Sequence, residues 1–303
     1  MPLFNEKISC WDDWGRVFQS TTAFRPLVEY ILEKENLPVC EITNLTPGTN
    51  GVFRVGKYVI KIFAPLESGI DQTPDLKTEL FATRRANEMG ISSPKLIANG
   101  YIDDKYHFAY MITEYIEGAE FSKAVLKMTS GEKVEAAKKL RHITDKMNTP
   151  CKAFNQIDVI NDTGHYRRWE KFPDNFKTQR LEYIKSMDCK NKVFVHGDLC
   201  GDNIIITPGG NLYIIDFADA VLAPLSYEHS LVAVELFDFD SWLIKGYFEG
   251  YTPKEITGIC FEGLLIHDFG GDIVVNHLGN NEEFQSLEDL HKRLEQKIQN
   301  AFF

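Results

Sequence analysis

Apolar residues recur along this chain with two different periods, and the points where the period changes divide it. In the first forty residues Trp11, Trp14, Phe18, Leu27, Tyr30 and Ile31 fall near the 3.6-residue repeat of helices with one buried stripe. From Glu41 the repeat shortens. Residues 41–46, 52–55 and 58–63 are β-prone, separated by Pro47-Gly48-Thr49-Asn50-Gly51 and Gly56-Lys57, which are turn-forming residues. Helical spacing returns in 75–89 through Leu76, Leu80 and Phe81, with Thr73-Pro74 as the entry and Gly90 as the stop. A loop and strand over 91–100 and a β-prone run over 107–115 complete this part.

Beyond it, 119–192 reads as mainly helical, with a polar connector at 148–165. A short apolar run at 192–195, a second at 203–206, the turn Pro208-Gly209-Gly210-Asn211 and a return strand at 212–215 predict a hairpin. From 228 to the closing LEDLHKRLEQKIQ segment the pattern is helical again, and Gly270-Gly271 is expected to stop the helix that enters Ile266-His267-Asp268-Phe269. The expected class is therefore α+β. A β-rich part with one central helix (1–113) leads through a short connection (114–118) to a mainly helical part that carries the hairpin (119–303).

Composition narrows the partners. A net charge of −11 argues against nucleic acid. From 219 to 283 twelve carboxylates face only Lys245 and Lys254, a field suited to a cationic partner. No apolar run approaches the roughly 18 residues of a membrane span, and the first residues are too polar for a signal peptide. The six cysteines, at 10, 40, 151, 189, 200 and 260, lack metal-ligand spacing, so reduced thiols in a cytoplasmic monomer are expected. Cys200 lies among candidate residues but nothing beside it marks a nucleophile.

Two regions carry chemistry. Lys61 is the one charge in the apolar hexamer 58–63, and a buried ammonium needs an anionic partner. Glu79, beside Leu80 and Phe81, is the first choice and Glu88 the weaker one. Asp198, Asn203 and Asp216 stand at offsets of zero, five and eighteen residues, the order of base, metal ligand and second metal ligand in kinase-fold phosphotransferases. The hairpin would bring Asn203 and Asp216 together at its open end as oxygen ligands of one Mg²⁺. Asp268-Phe269-Gly270 spells a kinase metal motif literally but lies 65 residues beyond Asn203, so Asp216 is preferred; Asp268 and Asp272 are secondary candidates for lining an acceptor pocket.

His196-Gly197-Asp198, in place of His-Arg-Asp, and Ile215-Asp216-Phe217-Ala218-Asp219-Ala220 resemble the aminoglycoside phosphotransferase and choline kinase superfamily over about 45–251. The resemblance implies a two-lobed protein-kinase-like fold, ATP as phosphate donor (GTP left open) and Mg²⁺. It implies that Asp198 is the base, that Asn203 and Asp216 hold the metal, and that Lys61, supported by Glu79, binds phosphate. It also implies that Gly48, Thr49, Asn50 and Gly51 close over the phosphates. The Glu114 carbonyl and Ile116 N–H would take the nucleobase edge near Met111 or Thr113. His196 would orient the loop, and Asp219 would support the metal or reach the acceptor. The stretch from Tyr227-Glu228 through LVAVELF to GYFEGY is similar to antibiotic-phosphorylating enzymes, including hygromycin-type aminocyclitol kinases. The implied acceptor is a small cationic, hydroxyl-bearing aminoglycoside or aminocyclitol, with Glu235, Asp238 and Asp240 as its first candidate contacts. Choline, ethanolamine, amino-sugar or macrolide kinases are alternatives, as is a nucleotide-binding module without turnover.

Overall fold

The computed structural model describes residues 2–46, 48–161, 164–187 and 191–302. Pro47 of the glycine-containing turn, part of the polar connector and Cys189 lie outside these. The chain divides into two compact units, Met1–Glu117 and Gly118–Phe303.

In the first unit, helices α1 (Trp11–Val17) and α2 (Thr21–Lys34) precede strands β1 (Ile42–Asn44), β2 (Gly51–Val55) and β3 (Tyr58–Ile62). Helix α3 (Thr73–Glu88) and strands β4 (Leu96–Asp103) and β5 (His107–Glu114) follow. The strands form one antiparallel sheet in the order β1-β2-β3-β5-β4. Period-two alternation gives the sheet two different faces. Phe53, Ile60, Ile62, Phe108 and Ile112 pack with Trp14, Phe24, Leu27, Val28 and Ile31 of α1 and α2. Phe63 and Met111 pack with Leu76 of α3 instead. Lys61 pairs across the sheet with Met111, which puts its side chain on the α3 face. Tyr30, expected within the buried stripe, is 45% exposed; Phe24, Val28 and Leu32 complete the stripe in its place.

The second unit opens with β6 (Ala119–Glu120), α4 (Phe121–Ala124), α5 (Ser130–Met147) and α6 (Asp174–Ser186). Next come β7 (Val193–Val195), β8 (Ile204–Ile206), β9 (Leu212–Ile214) and β10 (Val221–Ala223). Strand β8 pairs with both β6 and β9, while β7 pairs with β10, a strand that the sequence pattern did not mark. Helix α7 (Leu225–Leu231) runs into a π-helical turn (Val232–Leu236), and α8 (Ser241–Tyr247), α9 (Pro253–Ile266), α10 (Gly270–His277) and α11 (Leu287–Phe302) complete the unit.

Gly270-Gly271 departs from expectation. Helix α9 ends at Ile266, and the two glycines begin α10 rather than stop its predecessor. Their smallness serves close approach: a Cβ on Gly270 would lie 2.0 Å from the Leu264 carbonyl oxygen, and one on Gly271 2.3 Å from that of Arg168. Among the described residues no helix is long and apolar enough to cross a membrane.

Candidate active site

Lys61 and Glu79 meet in the first unit. The lysine Nζ donates to the Glu79 carboxylate at 2.8 Å, with Lys61 8% and Glu79 3% exposed. Strand β3 delivers one partner and the second turn of α3 the other. Burial at this level makes each charge depend on the other, because removing one leaves an uncompensated ion. Asp75, also on α3, has its carboxyl pushed up by burial and drawn back by Lys61, so the ammonium is felt beyond its direct partner.

Between β1 and β2 the chain turns through Gly48, Thr49 and Asn50 into Gly51. Gly48 and Thr49 are exposed and Asn50 is buried. Glu114 ends β5, where its N–H donates to the Lys95 carbonyl at 3.0 Å and the next N–H, of Tyr115, donates to the Lys57 carbonyl at 2.9 Å. Ile116 follows outside the sheet, half-buried.

The second unit holds the Asp198 loop. It leaves β7 through Gly197, whose φ of +85° lies in the region that favours glycine. A Cβ there would also stand 2.1 Å from the Asp219 carbonyl oxygen. His196 is fully buried; its Nδ1 accepts the Asp198 N–H at 3.3 Å while Nε2 lies 2.9 Å from the Ile215 carbonyl. That pattern puts the ring proton on Nε2 and makes the histidine a strut between the Asp198 loop and the strand leading to Asp216.

Glu228 of α7 holds the loop from below. Fully buried, it accepts the His196 N–H on Oε1 at 3.0 Å and the Gly197 N–H on Oε2 at 3.2 Å, with the Asn148 amide at 3.4 Å. Both oxygens of an ionised carboxylate thus satisfy loop donors that have no strand partner. The sequence reading gave Glu228 no such role. Its signal was a carboxylate between Leu225, Tyr227 and Leu231, in the stretch that resembles antibiotic-phosphorylating enzymes.

Asn203 donates its Nδ2 to the Asp198 carbonyl at 2.8 Å and to Asp198 Oδ2 at 2.9 Å. With its amino group so committed, its amide oxygen is turned away from Asp198. The hairpin pairs Ile204 with Ile214 and Ile206 with Leu212, and the Ile215 N–H donates to the Asn203 carbonyl at 3.0 Å. Asp216 follows immediately, exposed and in a left-handed conformation (φ +59°) that aspartate tolerates better than most residues. An amide oxygen and a carboxylate at the open end of one hairpin are hard oxygen donors, a set that fits a divalent cation such as Mg²⁺ completed by phosphate and water.

The Asp198 carboxyl is pushed up to about 7, first by burial and then by the charges of Asp219, Glu235 and Asp216; the Asn203 hydrogen bond opposes this. Glu235, on the π-helical turn, is itself raised by burial. The turn is closed by a Phe237 N–H bond to the Val232 carbonyl at 3.0 Å and is followed by two left-handed residues, Asp238 (φ +41°) and Phe239 (φ +58°). Cys200 is pushed up to about 12 by burial and the Asp198 charge, which keeps it a thiol at neutral pH and removes it as a nucleophile.

The profile of the phosphotransferase enzyme family matches residues 43–258. The chain belongs to that family. Among solved structures, a thermostable mutant of aminoglycoside phosphotransferase APH(4)-Ia is similar at 14% identity and a TM-score of 0.55, covering 90% of this chain and 98% of that one. Choline kinase LicA from Streptococcus pneumoniae is similar at 15% identity and a TM-score of 0.56, covering 90% and 99%. Plasmodium vivax ethanolamine kinase is similar at 15% identity and a TM-score of 0.52, covering 96% and 92%. At these identities the likeness establishes the kinase-like fold. No curated protein matches the chain by sequence.

In this phosphotransferase several acidic candidates have structural partners. Asp240 caps α8, accepting the N–H groups of Trp242 and Leu243, and pairs with Lys133 at 2.5 Å. Asp238 lies 3.1 Å from His277 Nδ1. Asp268 and Asp272 hold Arg168 between them, and its guanidinium covers the Phe269 ring. The literal Asp-Phe-Gly is thereby a clasp on the segment before α6. Of the carboxylates first considered for an acceptor, Asp219 and Glu235 are those whose charge reaches Asp198.

Proposed function

We propose that this phosphotransferase moves the γ-phosphoryl group of ATP to a hydroxyl of an aminoglycoside or aminocyclitol-like acceptor. The observation that carries the reading is the Asp198–Asn203 pair: a half-buried carboxylate oriented by an amide whose own oxygen is left for a metal, with Asp216 across the hairpin. The acceptor O–H donates to Asp198 as its oxygen attacks the γ-phosphorus. The bond from that phosphorus to the β–γ bridging oxygen breaks, ADP leaves, and the proton ends on Asp198. A base whose carboxyl sits near neutrality is matched to that transfer. Magnesium bound by Asn203 and Asp216 would neutralise phosphate charge. Lys61, kept in place by Glu79, binds phosphate, the turn 48–51 covers it, and the Glu114 carbonyl and Ile116 N–H take the nucleobase edge.

For the acceptor, the support is electrostatic. Asp216, Asp219 and Glu235 all place negative charge around Asp198, and a polyamine-bearing sugar gains from such surroundings. Solved relatives include APH(2'')-IIa with streptomycin and ATP, and APH(4)-Ia with ADP and hygromycin B. The corresponding role for this chain is antibiotic resistance by phosphorylation.

The test is Mg²⁺-dependent ADP release by wild type and Asp198→Ala against separate pools of aminoglycosides, aminocyclitols, choline, ethanolamine and amino sugars. Release raised by an aminoglycoside or aminocyclitol pool, and lowered by roughly 10²–10⁴-fold in the folded variant, supports the reading. Stimulation by choline or ethanolamine alone would replace the acceptor assignment. Silence in every pool with MgATP bound would replace the enzyme by a binding module.

A further inference from the structure

Trp14 has a bond that its place in the core does not require. Its ring is 1% exposed and packs against Phe18 and Phe24, at centroid distances of 6.3 and 5.8 Å. A phenylalanine would supply most of that contact. What a tryptophan adds is an indole N–H, and a buried N–H needs an acceptor. Here the acceptor is the Thr49 carbonyl, at 2.8 Å, in the exposed turn between β1 and β2.

The link between α1 and α2 holds both sides of that turn. Ahead of it, the Asn44 amide donates to the Gln19 carbonyl at 3.0 Å. Behind it, Gly51 lies so close to the segment after α1 that a Cβ would stand 3.1 Å from the Phe18 carbonyl oxygen. Gly48 and Thr49 are exposed, and each freely rotating residue costs about 1–2 kcal/mol to order. A segment meant to lay backbone N–H groups on phosphate therefore binds better if it is ordered beforehand.

On the nucleotide-site reading above, we infer that Trp14 is a positioning residue for the phosphate-covering turn, and that α1 moors this turn through the Thr49 carbonyl. The first forty residues are then part of the nucleotide site and not merely a brace for the sheet.

The test uses the full chain with Trp14→Phe, which keeps an aromatic ring and removes the donor, and Asn44→Ala, which removes an exposed tether. MgATP affinity is measured by calorimetry, amide exchange over 48–53 is followed without nucleotide, and KM is measured for MgATP and for the acceptor. We expect Trp14→Phe to weaken MgATP about three- to tenfold, to speed exchange in the turn, and to leave the acceptor KM unchanged. Asn44→Ala should do the same to a smaller degree, and it carries the test if Trp14→Phe does not fold. Wild-type MgATP affinity in folded variants, or lost thermal stability with unchanged exchange in the turn, would overturn the inference while leaving the nucleotide site standing. A wild-type chain that binds no MgATP would overturn both.

Discussion

Glu228 and Gly197 stand 31 residues apart in sequence, yet the carboxylate of one accepts the backbone N–H of the other at 3.2 Å, and both residues are buried. The second carboxylate oxygen takes the His196 N–H. The loop that carries Asp198 is thus set on a buried anion.

Glu228→Gln keeps the volume but replaces one acceptor by an NH₂ group that faces a backbone donor. A buried donor left without a partner costs about 1–3 kcal/mol, more where the lost acceptor was charged. Equilibrium denaturation should show a loss of about 2–4 kcal/mol. Turnover should fall more than MgATP affinity, because the loop and not the phosphate turn is disturbed. Wild-type stability would show that the carboxylate charge is not what holds the loop.

Gly197→Ala tests the same loop from its other side. The substitution forces a side chain into a left-handed residue and onto the Asp219 carbonyl. We expect a loss of about 3 kcal/mol or more, or failure to fold, read as soluble yield and melting temperature. An unaltered melting temperature would mean that the loop and the segment after Asp216 can separate cheaply.

The raised Asp198 carboxyl has a sign that stability measurements can check. Below about pH 4 it is protonated in both folded and unfolded chains, and its contribution to stability is fully present. Between about 4 and 7 the unfolded chain ionises while the folded one holds its proton, so that contribution is lost as pH rises through the folded value of about 7. Asp198→Asn, which cannot ionise, should match wild type near pH 4 and exceed it by about 1–3 kcal/mol at pH 8, in metal- and nucleotide-free protein. A stability difference that stays flat across that range would contradict the buried-charge account.

Glu79→Ala leaves the Lys61 ammonium buried without its carboxylate. Breaking such a pair costs about 3–5 kcal/mol when nothing rearranges. The kinetic signature expected is a higher KM for MgATP, with an effect on turnover well below that of Asp198→Ala. A variant with unchanged KM would separate the pair from nucleotide binding.

What the sequence disclosed depended on how local each constraint is. The Lys61–Glu79 pair was readable because a lone charge in an apolar strand must find a counter-charge, and the next helix offers few. The hairpin was readable because its turn and both strands are contiguous. Glu228 was not, since its partners are backbone groups of a loop 31 and 32 residues earlier and backbone donors leave no trace in side-chain identity. Strand β10 escaped for a similar reason: its partner β7 lies 26 residues earlier at Val221–Val195, and no turn joins the two to mark the pairing. Gly270-Gly271 was misread because glycine marks both a helix stop and a close crossing, and only the neighbouring Leu264 and Arg168 carbonyls distinguish them. Asp238 and Asp240 looked like an acceptor surface until His277, Lys133 and the α8 cap claimed them.

The hairpin at the centre of the second unit also behaves as a ruler. Its far end is the short reversal from Thr207 to Asn211; its near end is the span between Asn203 and Asp216. Because strand residues alternate faces, a one-residue slip at the reversal would send one of those two side chains to the opposite side of the sheet. The spacing of the two oxygen donors is therefore set by a surface reversal that touches neither. Lengthening that reversal by a single residue is a way to detune the pair remotely, with every side chain of the site still in place.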